Sequence, residues 1–112
     1  MNVRIEEQNL RFKISEQELR TLIDGHCLSM KVGLLDKMLV VTINPQGDGD
    51  DMKVAMVFGR GEVYLNFLIP PEKLLELSEM GRSRAGLEAN MDGLSLSLQV
   101  DLRSDQRKAK RA

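Results

Sequence analysis

Few residues in this 112-residue chain stand at spacings that perform chemistry. His26 and Cys27 are its only histidine and its only cysteine. They supply at most two of the four ligands a structural zinc requires, and neighbours on a strand point to opposite faces, so a Cys-His nucleophile pair does not assemble from them. Asp48-Gly49-Asp50-Asp51 gathers hard oxygens of the type that hold Ca²⁺ or Mg²⁺, but Lys53 and Glu62 do not fall where a twelve-residue calcium loop needs its ligands. It reads as a solvated loop. Serines occur at 15, 29, 78, 83, 95, 97 and 104, with one histidine and no G-x-S-x-G elbow, so a Ser-His-Asp triad has no support. Gly59-Arg60-Gly61 is too short for a dinucleotide fingerprint and lies between two strand patterns, where a phosphate cradle would need a helix N-terminus. The carboxylate pairs Glu6/Glu7 and Glu76/Glu79 fall on faces that normally meet water. No catalytic, metal-binding or cofactor-binding residue is assigned.

Cations offer more. Arg82, Arg84 and Arg103 form a candidate anion or partner contact, and Arg107, Lys108, Lys110 and Arg111 a candidate nucleic-acid contact. The formal net charge is −1, yet residues 104–112 carry +3, which leaves −4 for the rest. A mildly acidic body gives no broad basic footprint, and four tail cations without interleaved aromatics would bind nucleic acid weakly and in a salt-dependent way. The chain has no tryptophan. Phe12, Phe58 and Phe67 fall on inward strand positions, and Tyr64 alone faces the other way, so a stacking platform for single strands is missing.

The elements that would position these groups follow from periodicity. Val3 and Ile5, then Leu10, Phe12 and Ile14, alternate with polar residues about Gln8-Asn9, which is a hairpin with one buried face. Ser15-Glu16-Gln17-Glu18 is a capping box, Leu19, Leu22 and Ile23 give the following helix its apolar face, and Gly25 supplies its stop. A second hairpin carries Leu28, Met30 and Val32, turns near Asp36-Lys37, and returns through Leu39, Val41 and Ile43. Asn44 to Asp51 is a loop by composition. The order then repeats. Val54, Met56 and Phe58 lead to Gly59-Arg60-Gly61 and to Val63, Leu65, Phe67 and Ile69. Pro70-Pro71 opens a helix with Leu74, Leu75, Leu77 and Met80 on it, ended by Gly81. Arg82-Ser83-Arg84 leads to Leu87, Ala89 and Met91, an Asp92-Gly93 turn of type I′, and Leu94 to Leu102. Met30, Met56, Met80 and Met91 are assigned to gaps in the core.

At an offset of 55 residues Leu10 meets Leu65, Phe12 Phe67, Ile14 Ile69, Leu19 Leu74, Leu22 Leu77 and Leu39 Leu94, with Val32/Leu87, Val41/Leu96 and Ile43/Leu98 as apolar partners. This expectation is a gapless repeat. Each half has one apolar sheet face and one helix, which it cannot cover alone, so the halves are expected to share a core.

Hydrophobic residues make up 42% and charged residues 29%, an ordinary globular balance, and no apolar run approaches a membrane span. Met1 to Glu7 has no apolar h-region, and one cysteine forms no internal disulfide. These features point to the cytoplasm, with Cys27 read as a buried structural residue.

Val3-Arg4-Ile5 to Leu10-Arg11-Phe12-Lys13-Ile14-Ser15, Val63-Tyr64-Leu65 to Ile69-Pro70, and Gly86-Leu87-Glu88-Ala89 before the last strand together resemble a family of short bacterial proteins, a domain of unknown function, over about residues 3–103. The resemblance implies no activity and carries over no site residue. The architecture is also similar to that of the triphosphate tunnel (CYTH) enzymes, eight antiparallel strands with a comparable duplication. Their E-x-E-x-K is absent, since the segment here reads Arg4-Ile5-Glu6-Glu7-Gln8.

The sequence therefore specifies an α+β domain over residues 1–103, with antiparallel ββαββ halves at about 3–43 and 54–102. The halves form a barrel-like or packed-sheet unit, and a disordered basic tail occupies 104–112. The leading function is a non-enzymatic binding module working through a strand edge or the groove between the halves, with an unknown protein or a second copy as partner and no membrane association. The rivals are a small-ligand or metal-dependent enzyme with its site between the halves, and weak nucleic-acid association through the tail. On the last reading, a chain ending at residue 103 loses retention on RNA at low salt; unchanged retention removes it.

Overall fold

A computed structural model of the chain describes residues 1–80 and 86–101. Along it run β1 (Asn2–Glu6), β2 (Asn9–Ile14), α1 (Glu16–Ile23), β3 (Leu28–Leu34), β4 (Lys37–Asn44), β5 (Lys53–Phe58), β6 (Glu62–Leu68), α2 (Pro71–Glu79), β7 (Leu87–Met91) and β8 (Leu94–Val100). The ββαββ order occurs twice. The eight strands form two separate four-stranded sheets, ordered β1-β2-β8-β7 and β3-β4-β6-β5, rather than a closed barrel. Neither sheet is purely antiparallel: β2 pairs with β8 and β4 with β6 in parallel. Each ββαββ run thus gives its first hairpin to one sheet and its second to the other, with the helix passing between the sheets, and the parallel central pairs join strands of different runs. This corrects the expectation of an all-antiparallel arrangement, which periodicity within single strands cannot distinguish from a mixed one.

Local chemistry fixes both helices. Ser15 Oγ accepts from the Glu18 amide at 3.1 Å while a Glu18 carboxylate oxygen accepts from the Ser15 amide at 2.9 Å. Pro70 stands at the N-cap of α2 and Pro71 at its first position, where the missing N–H has no intrahelical partner to lose. The two helices pack on each other, with Leu19, Leu22, Leu74 and Leu77 buried in the common core.

At the centre of that core Phe12 and Phe67 stack with ring centroids 4.2 Å apart and planes inclined by 29°. Both are fully buried, with Ile14, Ile69, Ile43, Leu96 and Leu98 around them. Met52, in the stretch between the runs, is also buried. That stretch is strapped to the end of β6: the Gly47 amide donates to the Ile69 carbonyl at 3.0 Å and the Ile69 amide to Asn44 at 2.9 Å. A Cβ on Gly47 would stand 2.8 Å from the Ile69 backbone, so the close approach requires glycine.

The gapless offset of 55 does not hold throughout. It matches β2 with β6, the helices with each other, and β4 with β8. In the other strands Val3 sits opposite Phe12, nine residues on, whereas Val54 sits opposite Phe67, thirteen on. Leu87 sits opposite Leu98, eleven on, whereas Leu28 sits opposite Ile43, fifteen on. Two of the four hairpins are therefore longer by two residues per strand. Both belong to the same sheet, and their turns share one end, since Met38 pairs with Glu62 and its amide donates to the Gly61 carbonyl at 2.8 Å. The β3-β4-β6-β5 sheet is thus longer by about 7 Å at that end. The β3–β4 turn is Leu35-Asp36, one residue earlier than the sequence indicated.

Phe12→Ala removes half of the central stack and should lower the unfolding free energy by about 3–5 kcal/mol, measured by urea denaturation. With Phe67→Ala added, the total loss should be less than the sum of the single losses, because the two rings share one contact. A second expectation concerns acid. Burial alone would raise the Glu18 carboxyl, but hydrogen bonds from the Met1 ammonium, the Ser15 amide and the Ser15 hydroxyl, with the attraction of the ammonium, outweigh it and hold the group below its usual value. A carboxylate lowered by folding contributes stability above its unfolded pKa and loses it as pH falls through the folded one. Glu18→Gln should accordingly be less stable at neutral pH and show a shallower acid limb.

Candidate functional site

Among the described residues, those singled out from sequence are dispersed. Arg82, Arg84, Arg103, Arg107, Lys108, Lys110 and Arg111 lie outside the described residues. His26 and Cys27 are both exposed in the connection before β3, which corrects the expectation of a buried cysteine: the chain leaves α1 at Gly25, with φ +92°, and enters β3 only at Leu28. Asp48, Asp50 and Asp51 are exposed, with Asp51 accepting from the following Met52 amide at 2.9 Å. Among the described residues no three His, Cys, Asp or Glu side chains stand close enough to hold a metal ion. Glu6 and Glu7 face solvent, and Glu76 pairs with Lys73 at 3.5 Å.

Between the sheets the space is filled by aliphatic side chains and the two phenyl rings. Among the described residues the only buried polar side chain is Ser97. Where the helices meet, a groove of about 240 Å³ is lined by Leu19, Ile23, Leu77 and Val100, with Glu16, Arg20 and Ser78 at its margin.

The extended end of the longer sheet is different. Its last inward row runs Val32–Leu39–Val63–Phe58 across all four strands. All four are apolar and none is buried. The matching row of the shorter sheet ends in Met91 and Leu94 beside the β1–β2 turn at Gln8. Phe58, on an inward position by alternation, is therefore 73% exposed and does not belong to the core, and Met56 beside it is 55% exposed. Met30, Met80 and Met91 are only partly buried, packed against the core margin.

Leu34, Leu35 and Met38 extend this apolar end on the β3–β4 side. Leu35 is wholly exposed and holds φ at +57°, a left-handed conformation that costs a leucine about 1–2 kcal/mol. On the outer face of the same sheet Val57 is exposed opposite Tyr64. The hydrogen bond from the Tyr64 hydroxyl to Glu62, then desolvation and the carboxylate charge, push the phenol above its usual value.

β5 is also an edge, with β6 as its one strand neighbour in the sheet. Its Val54 amide, turned away from β6, meets Met91 Sδ at 3.5 Å. By the alternation of the ladder, the amides and carbonyls of Met56 and Phe58 point outward as well. Every other edge strand carries a charge within it, Arg4 on β1, Lys31 on β3 and Glu88 on β7, whereas Val54 to Phe58 has none. Unbroken apolar edges are the ones that accept another strand.

The sequence contained two signals for this site: the greater spacing from Val54 to Phe67 than from Val3 to Phe12, and the uncharged run after Lys53. Only strand pairing gives the first a meaning. Compared with known proteins, the chain matches no family model, no curated protein and no solved structure. Among the described residues no helix is long and apolar enough to cross a membrane.

Leu35→Asn should stabilise the fold by about 1 kcal/mol in thermal or urea denaturation, because asparagine tolerates the left-handed turn position and leucine gains nothing there from burial.

Proposed function

We propose that the protein is a binding module that pairs through its β5 edge with the same edge of a second copy. The observation that carries this reading is the uncharged edge Val54 to Phe58, exposed on both faces from Ala55 onward, beside the apolar row of the longer sheet. An antiparallel copy centred on Val57 places Met56 opposite the partner's Phe58 and Val57 opposite its own counterpart. Outward-pointing backbone groups then meet each other, as a ladder requires. The two Lys53 ammonium groups stand at opposite ends of the joint and do not face each other. The contact is isologous and closes after two copies. Leu35, held at a conformational cost where turn chemistry favours asparagine or glycine, fits a tip kept for contact rather than for folding. The positional matches between the two ββαββ runs support a further part of this reading, that they are copies of one unit whose hairpins have since diverged in length.

The measurement is mass in solution by light scattering and sedimentation across a concentration series. The wild-type chain should approach twice its monomer mass with rising concentration, and Val57→Lys should remain monomeric with its thermal midpoint little changed, since Val57 is exposed in the single chain. A wild-type chain that stays monomeric at high micromolar concentration overturns the proposal, as does a Val57→Lys chain that still dimerises.

A further inference from the structure

The outer face of the shorter sheet carries a second surface, independent of the β5 edge. Alternation along β1 and β2 sends Asn2 and Arg4, and Arg11 and Lys13, away from the core. Register brings them together: Arg4 is directly opposite Arg11, Asn2 opposite Lys13, and on the parallel side Lys13 lies beside Gln99 and Arg11 beside Ser97. Asn2, Val3, Arg4, Arg11, Lys13 and Gln99 line a depression of about 310 Å³. Three cations thus surround one concavity in a body whose net charge is negative, with two side-chain amides at its rim.

Neutralisation is poor. Arg4 Nε stands 3.7 Å from Glu6, a long and exposed pair worth little in water. Among the described residues neither Arg11 nor Lys13 has an ion-pair partner. Like charges directly opposite on an antiparallel pair destabilise a sheet, so this arrangement costs the free fold stability that a bound anion would restore. The fork of each guanidinium fits the oxygens of a phosphate, and Lys13 adds a point charge.

We propose that this depression binds a small ligand bearing one or two phosphate groups, with Arg4, Arg11 and Lys13 on the phosphate oxygens and Asn2 and Gln99 as amide donors. A small ligand is favoured over a polyanion by the surroundings. Glu6 bounds the patch at one end of β1, and Glu88, opposite Ser97 on β7, bounds it on the β7 side of the sheet, so an extended phosphate chain that followed either of these lines would meet a carboxylate. No aromatic side chain lies on this face of β1, β2, β7 or β8 for bases to stack on. The volume is at the lower end of the range for small-molecule sites.

The test is titration of the full ¹⁵N-labelled chain with inorganic pyrophosphate at moderate salt, followed by amide chemical shifts. Saturable shifts should concentrate on Asn2, Arg4, Arg11, Lys13 and Gln99, pyrophosphate should raise the thermal midpoint, and Arg11→Gln/Lys13→Gln should weaken binding about tenfold or more. Arg4→Gln is the single-site control: without ligand it should be at least as stable as wild type, because it removes one of two opposed cations. Absence of saturable shifts overturns the proposal, and so does equal binding by Arg11→Gln/Lys13→Gln, which would place the anion on other cations. A short oligothymidylate that shifts the same amides more strongly per phosphate than pyrophosphate also overturns it, in favour of a nucleic-acid surface. Monomeric behaviour of the wild-type chain has no bearing on these outcomes.

Discussion

Everything in this fold depends on the central parallel pairs, β2 with β8 and β4 with β6, and on the phenyl stack they hold between the sheets. A hairpin alone has two strands and one apolar face, too little to be stable in water. Each hairpin here becomes half of a four-stranded sheet only by joining a hairpin from the other ββαββ run. Phe12 and Phe67, on the two strands that follow the first turn of each run, meet where both sheets turn their apolar faces inward. Neither run can complete a sheet or bury its phenyl ring without the other, so the two runs are expected to fold as one cooperative unit.

The helices serve the same constraint. An antiparallel connection needs only a turn, but passing from one sheet to the other requires a longer crossing, and a one-face amphipathic helix both spans that distance and covers the core. The reciprocal bonds of Ser15 and Glu18 start α1 where β2 ends, and the proline pair starts α2 just beyond β6. Both helices bring two leucines to the same apolar interior as the phenyl stack.

Unequal hairpin lengths turn this closed core into a molecule with surfaces to use. Because the two long hairpins fall in one sheet, their extra residues add to one another at one end instead of cancelling between the sheets. Inward-facing side chains there have no opposing layer, and β5 beyond its first residue, Lys53, has apolar residues on both faces and no charge to deter another strand. The shorter sheet is marked by charge instead. Its outer face collects Arg4, Arg11 and Lys13 from a single hairpin while the chain as a whole is slightly acidic. One sheet thus offers an apolar edge and the other a basic depression, on opposite sides of a common core.

The sequence by itself determined the elements, because their causes are local: period-two alternation for the strands, the capping box and the proline pair for the helix starts, and Asp92-Gly93, both with positive φ, for the last turn. It also marked the core positions Phe12, Ile14, Leu19, Leu22, Phe67, Ile69, Leu74 and Leu77, all of which are buried. Met52 escaped that reading, since one apolar residue after a polar loop has no period to reveal it. What only the tertiary structure decided was strand order, the division into two sheets and the exposure of Phe58, Met56 and Cys27. Alternation says which side of a strand is apolar. It does not say whether another layer covers that side, and coverage depends on pairing between segments far apart in the chain. Arg4, Arg11 and Lys13 likewise read as ordinary solvent-facing charges until register set Arg4 opposite Arg11 and Lys13 beside Gln99.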